Sequence, residues 1–266
     1  PGVIYADPYG HLFVLVEWMD PRGDAPGILY AIDGQPDGSI TRKRFWEGNF
    51  LWNPEPSLGG SGFKGFRPHR LVGSGDAQRV EVPTNEALAR LDGYADFSEE
   101  QGGLDGNAFY DRMDALITPG HRDAVAAQDE AIRALFEAAK VRVTSVENGD
   151  AHVAKGGTID MPRGHAIFET TGAWENFSTP ARDLRLLIAI DLVRGFEAKV
   201  ARNPDVYLDS GQTMEQLSEL LATARAERLA DPTLTFEYTR SDGSKWSVSV
   251  AQLLERAPAL EVGYNP

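Results

Sequence analysis

The sequence predicts an α+β protein, with an antiparallel sheet at the N-terminus and then a mainly helical region carrying additional β-hairpins. Three observations lead there. Short β-rich runs joined by Gly, Pro and Asp turns fill residues 1–52. The pairs Thr118-Pro119 and Thr179-Pro180, each a helix N-cap followed by proline, precede apolar stretches of helical length. Near the end, Leu234, Phe236 and Tyr238 alternate opposite Trp246, Val248 and Val250 around the turn Ser241-Asp242-Gly243-Ser244.

Taken in order, Val3 to Ala6 is a short apolar strand. Leu12 to Trp18 is a buried-strand run, too short for a helix and rich in β formers. Gly27 to Ile32 follows a turn at Asp20–Asp24, and Ser39 to Trp46 follows a second turn at Asp33–Gly38. Residues 53–83 hold too many glycines and prolines for long regular elements and read as an irregular connection. Thr84–Leu91 and Asn107–Ile117 are short helices. Thr118-Pro119 opens a helix with Val125, Ile132, Leu135, Phe136 and Ala139 near one face. Val141–Val146 switches toward strand period, Asn148-Gly149-Asp150 is a turn, and His152–Ile159 and Ala166–Thr170 are strands. From Thr179-Pro180 a helix, apolar nearly all round, runs to about Ala201 and ends before Asn203-Pro204. A further helix spans Met214 to Leu229. This divides the chain into a sheet portion at 1–52, a connection at 53–83 and a helical accessory region at 84–266, which is either separate or packed as one domain with the sheet.

Composition bounds the function. Of 266 residues, 42% are hydrophobic and 25% charged, enough apolar material for a packed core. A formal net charge of -14 argues against a nucleic-acid footprint and against an anionic membrane surface. No apolar run reaches membrane-spanning length. Cysteine is absent, so neither disulfides, thiolate metal sites nor a thiol nucleophile exist within these residues. The chain opens on a strand-like run without an initiator Met, and is expected to be the inner part of a longer protein.

One segment looks like chemistry. Gly2-Val-Ile-Tyr-Ala-Asp-Pro-Tyr-Gly-His11 leads into the apolar strand Leu12–Val16. It resembles the histidine segment of the NlpC/P60 and CHAP peptidases and, more broadly, is similar to papain-like and transglutaminase-like folds, over about the first 50 residues. The resemblance implies a cysteine nucleophile on an earlier helix, a histidine at the start of a sheet strand and a polar residue on the next strand to orient its ring. Here His11 is the histidine. Asp33, directly after Gly27–Ile32, is the orienting candidate, and Gln35 is the second choice. A histidine titrates near neutrality, so His11 is suited to take a proton from a thiol and return it to a leaving group. A group accepting from the other ring nitrogen fixes the tautomer. The nucleophile is missing from the chain and would have to precede Pro1. The implied function is a cysteine hydrolase or acyl transferase acting on amide bonds of peptide or peptidoglycan, in a secreted or cell-envelope setting.

Other candidates carry blander readings. Gly59-Gly60-Ser61-Gly62-Phe63-Lys64-Gly65 lacks the Gly-Lys-Ser/Thr ending of a phosphate loop. Lys64, Arg67, His69 and Arg70 form a small basic cluster expected to be a solvated loop. His165, Glu169, Trp174 and Glu175 include two carboxylates near an aromatic platform, the elements of a glycoside-cleaving site. Their simpler role is in a loop before the helix at Pro180. Asp191 in the apolar helix is expected to pair with Arg194 one turn on. His69, His121, His152 and His165 show no metal-ligand spacing, so neither metal nor cofactor is expected. The alternative to an enzyme is a non-catalytic binding or structural module of a larger secreted protein, with the loops around Trp52 and Trp174 as contact surface.

Overall fold

The computed structural model describes all residues except 1, 2, 9, 24, 35–37, 56–60, 89, 92–99, 169–171, 179 and 261–266. It is α+β, with an antiparallel sheet first and a largely helical region after it. The chain divides into two compact units, one made of residues 1–21, 26–35 and 40–118, the other of 22–25, 36–39 and 119–266.

Unit 1 is built on β1 (Ile4–Ala6), β2 (Leu12–Met19), β3 (Ile28–Gly34), β4 (Ile40–Arg44) and β5 (Gly62–Lys64). All neighbours pair antiparallel in the order β4-β3-β2-β1-β5. Registers such as Tyr5↔Phe13, Tyr5↔Phe63 and Phe13↔Asp33 set these side chains on one face. That face is covered by α2 (Gly106–Ile117), started by Asp105, whose carboxylate accepts from the Ala108 amide. Phe109, Met113 and Ile117, spaced four apart, are its buried stripe. Together with Tyr5, Phe13, Ala31, Phe45 and Phe50 they form the core of this unit. Each fully buried aromatic there contributes about 2–3 kcal/mol through removal from water.

Two features differ from the sequence expectation. The glycine-rich stretch 53–83 supplies β5 to the sheet and a separate hairpin, β6 (Arg70–Val72) with β7 (Arg79–Glu81). It holds two bonded elements because each strand is only three residues long and fits between the turn residues. And α2, from the stretch expected to be accessory, belongs with the sheet, since its apolar stripe is what covers the sheet's inner face. α1 (Asn85–Leu88) is a single turn before it.

Unit 2 centres on α3 (Ala124–Ala154), 31 residues long. Thr118-Pro119 does not open it. Thr118 instead closes α2, and its hydroxyl accepts from the Gly27 amide. The N-cap is Asp123, whose carboxylate accepts from the amides of Val125 and Ala126. The expected strand at Val141–Val146, the turn at Asn148-Gly149-Asp150 and the start of the strand at His152–Ile159 are all helical. The reason lies in the spacing of the buried residues: Ile132, Leu135, Ala139, Ser145 and Gly149 lie on one helical face, whereas Val141, Val146 and Val153 are exposed. Tertiary packing of that face overrides the β preference of the valines. Gly149 is tolerated because a Cβ there would come within 3.1 Å of the Phe177 Cβ. The expected strand Ala166–Thr170 is a 3₁₀ turn over Gly164–Phe168, and its last two residues lie outside the described ones.

The helix from Pro180 is α4 (Pro180–Arg194), broken at Gly195 and resumed as α5 (Phe196–Arg202). It is not buried all round: Ala189, Ile190 and Val193 are buried, whereas Asp191 and Arg194 are exposed. Asp191 therefore needs no partner, since water solvates it. α6 (Pro204–Tyr207) is one turn, and α7 (Met214–Leu229) starts with a capping box between Thr213 and Gln216. The hairpin of β8 (Thr235–Thr239) and β9 (Lys245–Ser249) pairs Phe236 with Val248 and Tyr238 with Trp246, and α8 (Val250–Arg256) follows. Among the described residues no helix is long and apolar enough to cross a membrane.

Two tests follow from the core of unit 1. A Cβ on Gly27 would lie 1.9 Å from the Ile117 carbonyl oxygen, a backbone atom that cannot rotate away. Gly27→Ala is expected to lower stability by about 3 kcal/mol, read from chemical denaturation. Burial, aided by neighbouring negative charge, pushes the phenols of Tyr5 and Tyr110 far above their ordinary range. Below the unfolded-state value of about 10 both states are protonated and the contribution is whole. Above it only the unfolded state ionises, so stability falls as pH rises toward the folded-state values. Urea midpoints measured from pH 8 into the alkaline range are expected to drop above about pH 10, and to drop less steeply in Tyr110→Phe.

Candidate functional site

One end of the sheet in unit 1 gathers polar side chains on its inner face. The β1–β2 connection is Asp7-Pro8-Tyr9-Gly10-His11. The Gly10 amide donates to the Asp7 carbonyl at 3.2 Å, the Asp7 amide donates to the His11 carbonyl at 3.0 Å, and Gly10 has φ +93°. A tight hairpin of this length needs a residue at positive φ before the second strand, and glycine adopts it without strain. The Asp7 carboxylate accepts from the His11 amide at 2.9 Å and ties the turn together. His11 is thereby held at the start of β2, two residues before Phe13 and on the same face.

Asp33 lies on β3 opposite Phe13 and is 2% exposed. Its Oδ2 stands 3.6 Å from His11 Nδ1 and 2.8 Å from Lys43 Nζ. Lys43 comes from β4, opposite Ala31, with its ammonium 4.9 Å from the centre of the Phe13 ring. So a buried carboxylate is shared between a lysine in close contact and an imidazole just beyond hydrogen-bond length. The imidazole is half exposed, and its ring centre lies 6.4 Å from that of Phe13. With Nδ1 turned toward Asp33, Nε2 is the nitrogen left for chemistry.

Of the three residues expected at this site, His11 and Asp33 come together, and Gln35 lies outside the described residues. Asp7 and Lys43 were not foreseen. Lys43 had a signal: it stands two residues before Phe45, a core residue, so strand alternation sends both to the inner face. Asp7 likewise stands two residues after Tyr5.

The remaining candidates do not converge. Arg67 donates to the Pro83 carbonyl and to the Asn85 side chain, Arg70 pairs with Glu81 across its hairpin, and Lys64 lies on β5, so the basic side chains are engaged separately; His69 is exposed. Glu169 lies outside the described residues, while His165 and Glu175 are exposed. Trp52 is stacked on Phe109 at 4.2 Å between ring centres and packs, half-buried, against the core of unit 1. Among the described residues no three His, Asp or Glu side chains gather as a metal site would require.

No family model matches the chain, and neither the curated proteins nor the solved structures give a match. The likeness to papain-like peptidases therefore rests on the residues around His11 alone.

The Asp33–Lys43 pair makes a prediction of its own. Removing one member of a buried ion pair strands the other charge. Lys43→Met is expected to cost about 3 kcal/mol. The double variant Asp33→Asn/Lys43→Met should recover much of that loss, because the buried carboxylate charge is removed together with the ammonium. Denaturation of the two variants against the unaltered chain checks it.

Proposed function

We propose that unit 1 carries the histidine–carboxylate part of a cysteine-dependent amide hydrolase or acyl transferase, acting on peptide or peptidoglycan amide bonds. The observation that supports this reading is the approach of His11 Nδ1 to the buried Asp33 carboxylate at 3.6 Å, with the imidazole half exposed at the sheet end. In such a site His11 Nε2 takes the thiol proton, the thiolate attacks the amide carbonyl, and His11 returns the proton to the leaving amine. Asp33 holds the ring in the tautomer that leaves Nε2 free to accept. The chain has no thiol, so the nucleophile belongs to sequence or to a partner beyond these residues.

A second reading is favoured by one observation. Lys43 stands closer to Asp33 than His11 does, 2.8 Å against 3.6 Å. On that reading Asp33 and Lys43 are an ion pair closing the sheet end, His11 is a turn residue, and the unit is a non-catalytic module of a larger protein.

The two separate in assays on the product of the complete reading frame, with peptidoglycan fragments and peptide amides as substrates. The catalytic reading expects thiol-dependent hydrolysis that His11→Ala lowers by about 10³-fold and Asp33→Asn by a smaller factor. Hydrolysis indifferent to His11→Ala, or a complete product without a cysteine, leaves the structural reading standing. The 266-residue chain alone is expected to be inert toward these substrates.

A further inference from the structure

The interface between α3 and α4 in unit 2 leaves an unusual set of polar atoms without hydrogen bonds. Arg142 Nη1, Ser145 Oγ, Ser178 Oγ and Arg182 Nε are buried and have no partner among the described residues. Arg142 and Ser145 lie one turn apart on α3, Ser178 ends the helical turn Trp174–Ser178, and Arg182 lies in the first turn of α4. α3 meets α4 where Arg142 Nε contacts the Asp183 carboxylate at 2.5 Å, and meets the turn where Gly149 faces the Phe177 ring.

Charge sharpens the picture. Arg142 pairs with Asp183, and Arg182 feels the charges of Arg142, Arg185 and Glu175. Arg182 donates from Nη2 to the Glu175 carbonyl at 3.1 Å, which leaves its Nε without a bond. Burial and the neighbouring charges of Arg185 and Arg142 make Arg182 harder to keep protonated than an ordinary guanidinium, with Glu175 opposing. Each buried donor left without an acceptor costs about 1–3 kcal/mol. A trapped water would satisfy two such donors and leave the others without an acceptor.

We propose that this cluster is a binding site for a tetrahedral oxyanion, a phosphate or sulfate group, held between Arg142, Ser145, Ser178 and Arg182. Guanidinium groups and hydroxyls from three separate elements supply donors from several directions, as the oxygens of a tetrahedral anion require and a planar carboxylate does not. The positive end of α4 adds to the field. Arg142 keeps about a quarter of its side-chain exposure (23%), which gives the anion its approach from solvent.

The test is titration of the chain with inorganic phosphate, and in parallel with glycerol 3-phosphate, at constant ionic strength set with sodium chloride. It is followed by calorimetry and by ³¹P line broadening. Saturable one-to-one binding is expected, weakened roughly tenfold or more by Arg182→Gln. Ser145→Ala and Ser178→Ala remove hydroxyls that have no partner among the described residues. They are expected to leave the phosphate-free melting temperature unchanged or higher while weakening binding several-fold. That combination keeps the test valid even if Arg182→Gln fails to fold. Tighter binding of glycerol 3-phosphate identifies a phosphomonoester as the ligand, and binding of inorganic phosphate alone identifies the free ion. Absence of saturable binding, or equal binding by the serine variants and the unaltered chain, overturns the proposal.

Discussion

The phenol of Tyr5 is the point on which unit 1 turns. Its ring is fully buried between Phe13, Phe50 and Phe63, and its hydroxyl donates to the Leu51 carbonyl at 2.7 Å. A second phenol, Tyr110 on α2, donates to the Phe50 carbonyl at 3.0 Å and accepts from the Trp52 amide at 3.0 Å. The segment after β4 thus has its buried backbone groups satisfied by one tyrosine from the sheet and one from the helix. A buried carbonyl without such a partner would be costly, so these two hydroxyls allow an irregular segment to run through an aromatic core. That segment in turn places Phe50 against Phe13, and Phe13 fixes the row in which His11 and Asp33 stand.

Much of this was legible in the sequence, and for a physical reason. Strand alternation is a local property, so β2, β3 and the β8–β9 hairpin follow from Leu12–Trp18, Gly27–Ile32 and the Phe236/Tyr238 and Trp246/Val248 pattern. The capping box at Thr213 is local too. The failures are non-local. Val141, Val143 and Val146 look like a strand until Ser145 and Gly149 are seen to continue the buried face of Ile132, Leu135 and Ala139. Nothing within that window says that Phe177 will pack on Gly149. Thr118-Pro119 failed because the threonine hydroxyl was committed elsewhere, to the amide of Gly27, 91 positions away in sequence.

The candidate site divides the same way. A histidine after a Pro-x-Gly turn and an acid after the next strand are readable as positions. The register Phe13↔Asp33 brings their side chains to one sheet end. Lys43 escaped notice because it sits in the charged run Arg42-Lys43-Arg44, which reads as a solvated edge. On the edge strand β4 that reading holds for Arg42, which pairs with Glu17 on the outer face, and fails for Lys43, whose parity turns it inward. A run of like charges on a strand is thus two populations, one per face.

The chemistry available at His11 depends on how Asp33 divides its charge. A carboxylate accepting from an imidazole at hydrogen-bond distance stabilises the imidazolium that forms as the ring takes a proton. A lysine ammonium already 2.8 Å away satisfies part of that charge and weakens the pull on the ring. Burial acts in the opposite sense, because in a low-dielectric setting each remaining interaction of Asp33 is stronger than it would be in water. Asp33 at 2% exposure stands beside the ring, with Lys43 as the closer of its two cationic neighbours. On the catalytic reading Asp33 serves the ring and the ammonium at once, whereas on the structural reading its part is to close the sheet end with Lys43.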